Sequence, residues 1–288
     1  MTSNLTTRQL LVAASSALAV TSDTPELDAA VLLAFALGSH RTRLQSHADE
    51  ERNAAEQARF ASLIGRRAAG EPVAYIVGYK EFWSLQLAVG DAVLVPRPET
   101  ELLVERALAL GQSTVLRALD LGTGTGAIAL ALAHERPQWQ IAATDISVPA
   151  LAVAAKNAAA LNLLQVEFLC GAWFEPLAGR RFELIVSNPP YVGANDPALL
   201  DPTLSHEPRI ALTPGEDALS DLRVIIRASP TYLARGGRLL LEHGTTQAAE
   251  VARELVVRGF RHVRSQRDPA GHERMTEAQW GEHLPHEV

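Results

Sequence analysis

Cysteine is almost missing from these 288 residues. With Cys170 alone, neither an internal disulfide nor a thiolate-rich metal site can form. Its place after Val166-Glu167-Phe168-Leu169 predicts a small buried residue. Also missing is any apolar run long enough to cross a bilayer, although hydrophobic residues make up 47% of the chain. Met1 is followed by the polar Thr2, Ser3 and Asn4 rather than by a basic-then-apolar leader, so the expectation is a soluble cytoplasmic protein. The nine histidines supply no helix-face pair beside a carboxylate, and His283 and His286 fall in a tail. They read as surface residues, and no metal is expected. A basic stripe is lacking as well. The net charge is −7; of 26 Lys and Arg and 33 Asp and Glu, 8 of each fall within residues 1–80, leaving 18 cations against 25 anions. Holding a long phosphate backbone requires neutralising it, so the acidic remainder argues against duplex DNA as a direct partner.

What is present fits one main domain preceded by a smaller one. Leu10, Ala13, Ala14, Ala17 and Leu18 share one helical face. A second helix has Thr24 as N-cap, Pro25 in its first turn, the face Leu27, Ala30, Val31, Ala34 and Phe35, and Gly38 as its stop. A third runs from about Asp49 to Arg67 with Phe60, Leu63 and Ile64 inward. Residues 1–77 therefore read as a small helical bundle, suited to docking a partner or substrate or to steadying the next domain. Over 78–97 the period becomes strand-like. Leu85, Leu87 and Val89 precede Gly90-Asp91, and Val93 and Val95 follow it, which predicts a β-hairpin connector. Pro98 and Glu99 open a helix to about Leu110. After Gly111 strands near 115–120, 139–144, 165–169, 182–187 and 237–242 alternate with helices near 126–135, 149–160, 219–234 and 246–259. Weaker strands at 261–265 and 274–279 complete the pattern. This makes 98–288 an α/β domain with a doubly wound, Rossmann-like sheet.

The first of those strands runs into Asp120-Leu121-Gly122-Thr123-Gly124-Thr125-Gly126 and then into an alanine-rich helix. Glycines at such a turn let backbone approach a nucleoside closely, with helix N–H groups facing the ligand. The form is G-x-G-x-G behind an acid, without the last glycine of the dinucleotide fingerprint, which favours S-adenosylmethionine over a nicotinamide cofactor. Asp145, after the second strand and 23 positions beyond Gly122, can accept both ribose hydroxyls; its other reading is an N-cap for the helix near Pro149.

The strand Phe182–Ser187 ends in Asn188-Pro189-Pro190-Tyr191, at the carboxyl edge where doubly wound sheets bind ligands. Each proline fixes its own backbone and restricts its predecessor, so the segment predicts a stiff array of oxygen acceptors. The chemistry that suits it is methylation of a planar NH2, either a glutamine amide or an adenine amine. The Asn188 side-chain oxygen and a proline carbonyl would accept the two hydrogens, and Tyr191 would stack on the plane. A methyl donor that is already activated needs no general base in the transition state.

Together with Gly78-Tyr79-Lys80-Glu81-Phe82-Trp83, Val95-Pro96-Arg97-Pro98-Glu99-Thr100-Glu101, Glu207-Pro208-Arg209 and Leu240-Leu241-Glu242-His243-Gly244, these motifs occur in an order that resembles the protein-(glutamine-N5) methyltransferases of the PrmC/HemK type, which act on peptide-chain release factors. The resemblance implies that Gly122, Thr123, Gly124, Thr125 and Gly126 cradle the methionine part of S-adenosyl-L-methionine. It implies further that Asp145 holds the ribose, and that Trp173 and Phe174 flank the adenine. Asn188 would serve cofactor and substrate, while Pro189, Pro190 and Tyr191 would bind the glutamine of a Gly-Gly-Gln loop. The helical N-terminal domain would help hold the release factor, with a monomer as the default state. Ala172 stands where many relatives carry an acid, and Thr213-Pro214 where a more glycine-like turn is expected. The alternative substrate is an adenine amine in DNA or RNA.

Overall fold

The computed structural model describes residues 4–111 and 116–281; the Val115 strand start and the His283 and His286 pair lie outside the described residues. The chain divides into two compact units, Met1–Tyr79 with Leu200–His206, and Lys80–Leu199 with Glu207–Val288. Among the described residues no helix is long and apolar enough to cross a membrane.

The first unit contains α1 (Thr7–Leu18), α2 (Pro25–Ala36), α3 (Arg41–Ser46), α4 (Ala54–Ala68) and α5 (Val73–Val77). Reciprocal capping boxes start α1 (Thr6 with Gln9) and α4 (Asn53 with Glu56), satisfying N–H groups that have no helical partner. Helix α4 begins later than the pattern predicts because the preceding chain is extended, with Thr6 bridging Glu51. α1 buries Leu10, Ala14 and Leu18 and leaves Ala13 and Ala17 exposed. For α2 the expected face is displaced: Ala29, Leu32 and Leu33 are buried, whereas Leu27 and Phe35 are 47% and 44% exposed. That helix is apolar nearly all round, so its hydrophobic pattern singles out no face. Its buried side also carries Asp28, which accepts hydrogen bonds from Arg67 Nε (2.7 Å) and Ser22 Oγ (2.7 Å). Thr24 makes no side-chain cap; the Ser22 hydroxyl accepts from the Thr24 N–H (3.1 Å) instead.

From Tyr79, the last residue of the first unit's main segment, a hairpin joins β1 (Tyr79–Phe82) to β2 (Leu85–Ala88) of the second. Its turn is Trp83-Ser84, at φ 51° and 59°, and not Gly90-Asp91. Two consecutive left-handed residues match the strand twist of a two-residue hairpin. The strain falls on a residue held at both ends: Trp83 N–H donates to Glu101 (2.8 Å) and its indole Nε1–H to Glu135 (2.8 Å). Val93 and Val95 are buried but lie in no strand. A 3-10 turn, Pro98–Thr100, leads into α6 (Glu101–Leu110).

The sheet contains β3 (Arg117–Leu121), β4 (Gln140–Asp145), β5 (Glu167–Cys170), β6 (Phe182–Ser187), β7 (Leu233–Glu242), β8 (Arg261–Arg267) and β9 (Glu273–Gln279), in the order β5-β4-β3-β6-β7-β9-β8. β3 to β7 run parallel and β9 antiparallel to its neighbours. The connecting helices are α7 (Ala127–Glu135), α8 (Val148–Ala160), α9 (Arg209–Leu212), α10 (Ser220–Tyr232) and α11 (Ala248–Arg258). Side chains alternate across the pleat: Ala118, Leu184, Val186 and Leu240 join α6, α7 and α8 in one apolar layer. Leu119, Ile185, Leu239 and Leu241 join α10 and α11 in the other. Both faces are covered, which is why these strands read as continuous apolar runs. Cys170, expected inside, is exposed, because it ends the edge strand β5.

Candidate active site

Strand order reverses between β3 and β6, and the crevice at the carboxyl ends of those two strands opens into a cavity of about 340 Å³. Gly122 and Gly124, after β3, form one wall at φ 72° and 54°, values that favour glycine. The Gly122 and Thr123 N–H groups both donate to the Thr144 carbonyl (2.9 and 3.0 Å), tying the turn to β4. Asp145, at the end of β4, accepts from Gly124 N–H (2.9 Å) and Ser147 N–H (2.8 Å). Ser147, not Asp145, caps α8, its hydroxyl accepting from Ala150 N–H (3.2 Å). The carboxylate is thus fixed on the cavity wall with lone pairs left for a diol.

Trp173 completes this part of the wall. It adopts φ 49°, and its ring lies so near Gly122 that a Cβ there would stand 3.4 Å from it. Backbone strain of this kind persists where the surroundings fix it; here the Thr144 hydroxyl donates to the Trp173 carbonyl (2.9 Å). Phe174, expected beside it, is instead core: 4% exposed and stacked on Tyr232 at 4.5 Å between ring centroids. The two residues lie in the turn after β5, Trp173 left-handed and Phe174 in the right-handed region, and the aromatic pair is divided between cavity and interior. Ala172 and Thr213-Pro214 also line the cavity.

The lining also carries Asn188 and Pro190. The Asn188 Nδ2–H donates to the Thr100 hydroxyl (3.1 Å), so the amide nitrogen is occupied and the oxygen is left for another donor. Pro189 is buried behind it. Tyr191 does not lie on the wall: its hydroxyl donates to Glu242 Oε1 (3.1 Å) and its carbonyl accepts from Gln247 (2.9 Å). Thr123, Thr125 and Gly126 likewise sit behind the glycine turn, buried. Of the expected residues, the cavity therefore brings together Gly122, Gly124, Asp145, Trp173, Asn188 and Pro190.

Several contributors stand in motifs to which the sequence assigns no role. Glu207, its side chain fully buried, accepts from Val95 N–H (3.0 Å) and Arg97 (2.6 Å), clamping two lining segments, Ala92–Leu94 and Pro208–Ala211, to each other. Glu242 is 2% exposed, and burial pushes its carboxyl up to about 7, against hydrogen bonding from Thr100 and Tyr191 and the charge of Arg274. Among the described residues its Oε2 has no hydrogen-bond partner. Burial beside Glu242 also raises the Tyr191 phenol. A lone acid closing the apolar run Leu239-Leu240-Leu241 was the available signal. His243, read as a surface residue, is buried; burial lowers its pKa, and it is bonded to the Gly244 carbonyl (2.9 Å) and Thr276 (2.9 Å). Among the described residues no cluster of His, Cys, Asp or Glu is arranged to hold a metal ion.

A glycine turn, a fixed carboxylate and a strand-end asparagine line one crevice of a sheet whose β9 runs antiparallel; this combination defines a methyltransferase of the doubly wound α/β class. Two family models match the chain, the PrmC N-terminal domain over residues 9–78 and the methyltransferase small domain over 98–205. The chain is 45% identical over 255 residues to the release factor glutamine methyltransferase of Salmonella typhimurium, covering 88% of this chain and 92% of that protein. It is 46% identical over 259 residues to the enzyme of the same name from Yersinia pestis, covering 90% and 94%. A methyltransferase from Pyrococcus furiosus shares the fold, with a TM-score of 0.54 at 17% identity over 76% of this chain and 99% of that one. The chain belongs to the release factor glutamine methyltransferase family.

Proposed function

We propose that this protein transfers a methyl group from S-adenosyl-L-methionine to the side-chain amide nitrogen of the glutamine in the Gly-Gly-Gln loop of peptide-chain release factors. The observation that carries the reading is the Asn188 amide, tied through its nitrogen to Thr100 and lining the same cavity as Gly122, Gly124 and Asp145. These residues fit the cofactor. Positive-φ glycines admit close backbone approach, the Asp145 carboxylate suits a ribose diol, and the Trp173 ring offers a flat apolar surface for a base.

When bound, S-adenosylmethionine supplies an activated methyl group. The chain's own part is to make a poor nucleophile face it. An amide nitrogen shares its lone pair with the carbonyl, so Asn188 Oδ1 and a proline carbonyl of the same segment accept its two hydrogens and fix the plane of the group. Pro189 and Pro190 keep those acceptors from relaxing. Tyr191, anchored at both its hydroxyl and its carbonyl, stiffens the segment from behind. No neighbouring His or Cys is needed, since the excess proton leaves after transfer.

The test is methyl transfer from labelled cofactor to a release factor and to the same factor with Gln→Ala in its Gly-Gly-Gln loop. Label is expected on the first alone, and Asn188→Ala is expected to slow it by at least ~100-fold, the size of losing one preorganised polar contact. Equal labelling of both factors, or an undiminished rate in Asn188→Ala, removes this reading.

A further inference from the structure

The Leu240-Leu241-Glu242-His243-Gly244 motif has no part in the chemistry above, and it ends on a glycine without a conformational reason, since the φ of Gly244 lies outside the left-handed region. What the missing side chain leaves is room. A Cβ there would stand 3.1 Å from Gln247 Oε1 and 3.2 Å from Gln247 Cδ. Gln247, the N-cap of α11, folds its side chain back over the turn that Gly244 begins. Its Oε1 accepts from Gly244 N–H (2.8 Å), and its Nε2–H donates to the Tyr191 carbonyl (2.9 Å). We propose that Gln247 is a positioning residue for methyl transfer, holding the carboxyl-terminal end of Asn188-Pro189-Pro190-Tyr191 by its backbone. This rests on the assignment of that segment as the acceptor of the substrate NH2.

Two anchors flank the segment. Before it, the Ser187 hydroxyl at the end of β6 donates to the Leu121 carbonyl (2.8 Å); after it, Val192 N–H donates to the Leu212 carbonyl (3.1 Å). Between them Pro189 and Pro190 have no N–H to give. Their rings fix φ, and Pro190 in turn restricts the ψ of Pro189. The ψ of Pro190, which aims its carbonyl, has no following proline to restrict it and is left to whatever holds Tyr191. The phenol donating to Glu242 Oε1 (3.1 Å) holds the side chain of Tyr191, and Gln247 holds its carbonyl. Two contacts on one residue set its orientation, and with it the aim of Pro190, which lines the cavity.

Polarity makes the contact specific to an amide. A backbone N–H only donates and a carbonyl only accepts, so bridging Gly244 to Tyr191 takes one acceptor and one donor at the end of one side chain. Gln247 is itself held in place. Its own N–H donates to the Gly244 carbonyl (3.0 Å), which also accepts from Nδ1–H of the buried His243 (2.9 Å). His243 is bonded through Nε2 to the Thr276 hydroxyl of β9 (2.9 Å). The acceptor segment is thereby tied to β9, two strands away from the β6 that carries it.

The experiment compares the full-length protein with Gln247→Glu, Gln247→Met and Gly244→Ala, using labelled S-adenosylmethionine and a release factor bearing the Gly-Gly-Gln loop, at about pH 8, where the introduced carboxyl is ionised. Gln247→Glu keeps an acceptor for Gly244 N–H and puts a negative charge at the start of α11, where the helix dipole favours it, so its Tm should not fall. It turns a second acceptor toward the Tyr191 carbonyl, and kcat is expected to drop ~10- to 100-fold with both KM values within ~3-fold. Gln247→Met, of similar length but without the amide, should lose ~10-fold in kcat. Gly244→Ala, whose Cβ displaces the amide while Gln247 stays intact, should lose ~3- to 10-fold. A merely structural role predicts parental turnover in the stable Gln247→Glu. Parental kcat in Gln247→Glu or Gln247→Met, or a loss carried by the S-adenosylmethionine KM with kcat unchanged, overturns the proposal. Should both Gln247 variants fail to fold, Gly244→Ala alone decides, and parental kcat there overturns it. A slow Asn188→Ala beside an unimpaired Gln247→Glu would sink this inference alone; an unimpaired Asn188→Ala would sink the reading beneath it.

Discussion

Asp120, the acid ahead of the glycine turn, is 1% exposed; its Oδ2 accepts from the Thr123 hydroxyl (2.7 Å) and Ala129 N–H (3.2 Å), and among the described residues its Oδ1 has no partner. Burial, helped by the nearby Asp145 charge, pushes its pKa up to about 7 against those two bonds. An unfolded aspartate titrates near 4, so between about pH 4 and 7 the folded chain holds the extra proton. Stability from this group is therefore full below the unfolded value and is lost as pH rises to about 7. Asp120→Asn keeps the shape, and its Oδ1 can serve both donors without a charge to bury. Relative to the parent, the variant should gain about 1–3 kcal/mol at pH 8 and nearly nothing at pH 4. Denaturant midpoints at the two pH values measure this; parallel changes in both proteins would mean that the fold accommodates the charge.

The turn between β3 and α7 depends on three glycines, and Gly126 is the one with least room. It sits at φ 83°, and a Cβ there would lie 3.0 Å from Leu130 Cδ1 and 3.3 Å from Ala154 Cβ, while its N–H donates to the Thr123 carbonyl (2.8 Å). Gly126→Ala should shift the turn that carries Gly122 and Gly124, at a cost of about 1–2 kcal/mol in strain. Calorimetric titration with S-adenosylmethionine should show affinity weakened by ~10-fold, converting that cost, and an unaltered affinity would mean that the turn binds nothing. This element was legible because glycine spacing, an apolar strand and an alanine-rich helix agree locally. Elements fixed by tertiary partners were not. α2 carries apolar residues on every side and is oriented by the Asp28–Arg67 pair, 39 positions apart. The hairpin turns at Trp83-Ser84 with Glu101 holding the Trp83 backbone N–H and Glu135 its indole, contacts that no local pattern announces. Trp173 and Phe174 look equivalent in sequence, yet only the first faces the cavity. At the other end of the scale, Thr100 and Asn188 lie 88 positions apart, and their hydrogen bond exists only in the folded domain.

Over the whole molecule, charge separates the two substrate classes that one acceptor cluster serves equally well. A glutamine amide and an adenine amine present the same planar NH2, so Asn188 and its prolines do not choose between them. A nucleic acid adds a phosphate backbone, and residues 81–288 oppose one with 25 anions to 18 cations. Many of those cations are already engaged: Arg106 is bonded to the buried Glu277 at 2.5 and 2.7 Å, and Arg223 bridges Asp217, Glu250 and Glu254. Six to ten phosphate contacts would cost about 10³–10⁵ in affinity between 50 and 200 mM salt through counterion uptake. A protein substrate seated by an apolar and hydrogen-bonded cavity should lose far less, about 10-fold or under. The measurement is kcat/KM for a release factor across that salt range, with and without excess unmethylated duplex DNA. A shallow salt slope and no competition are expected. A steep slope together with inhibition by DNA would mean that a phosphate backbone occupies the surface assigned to a protein loop.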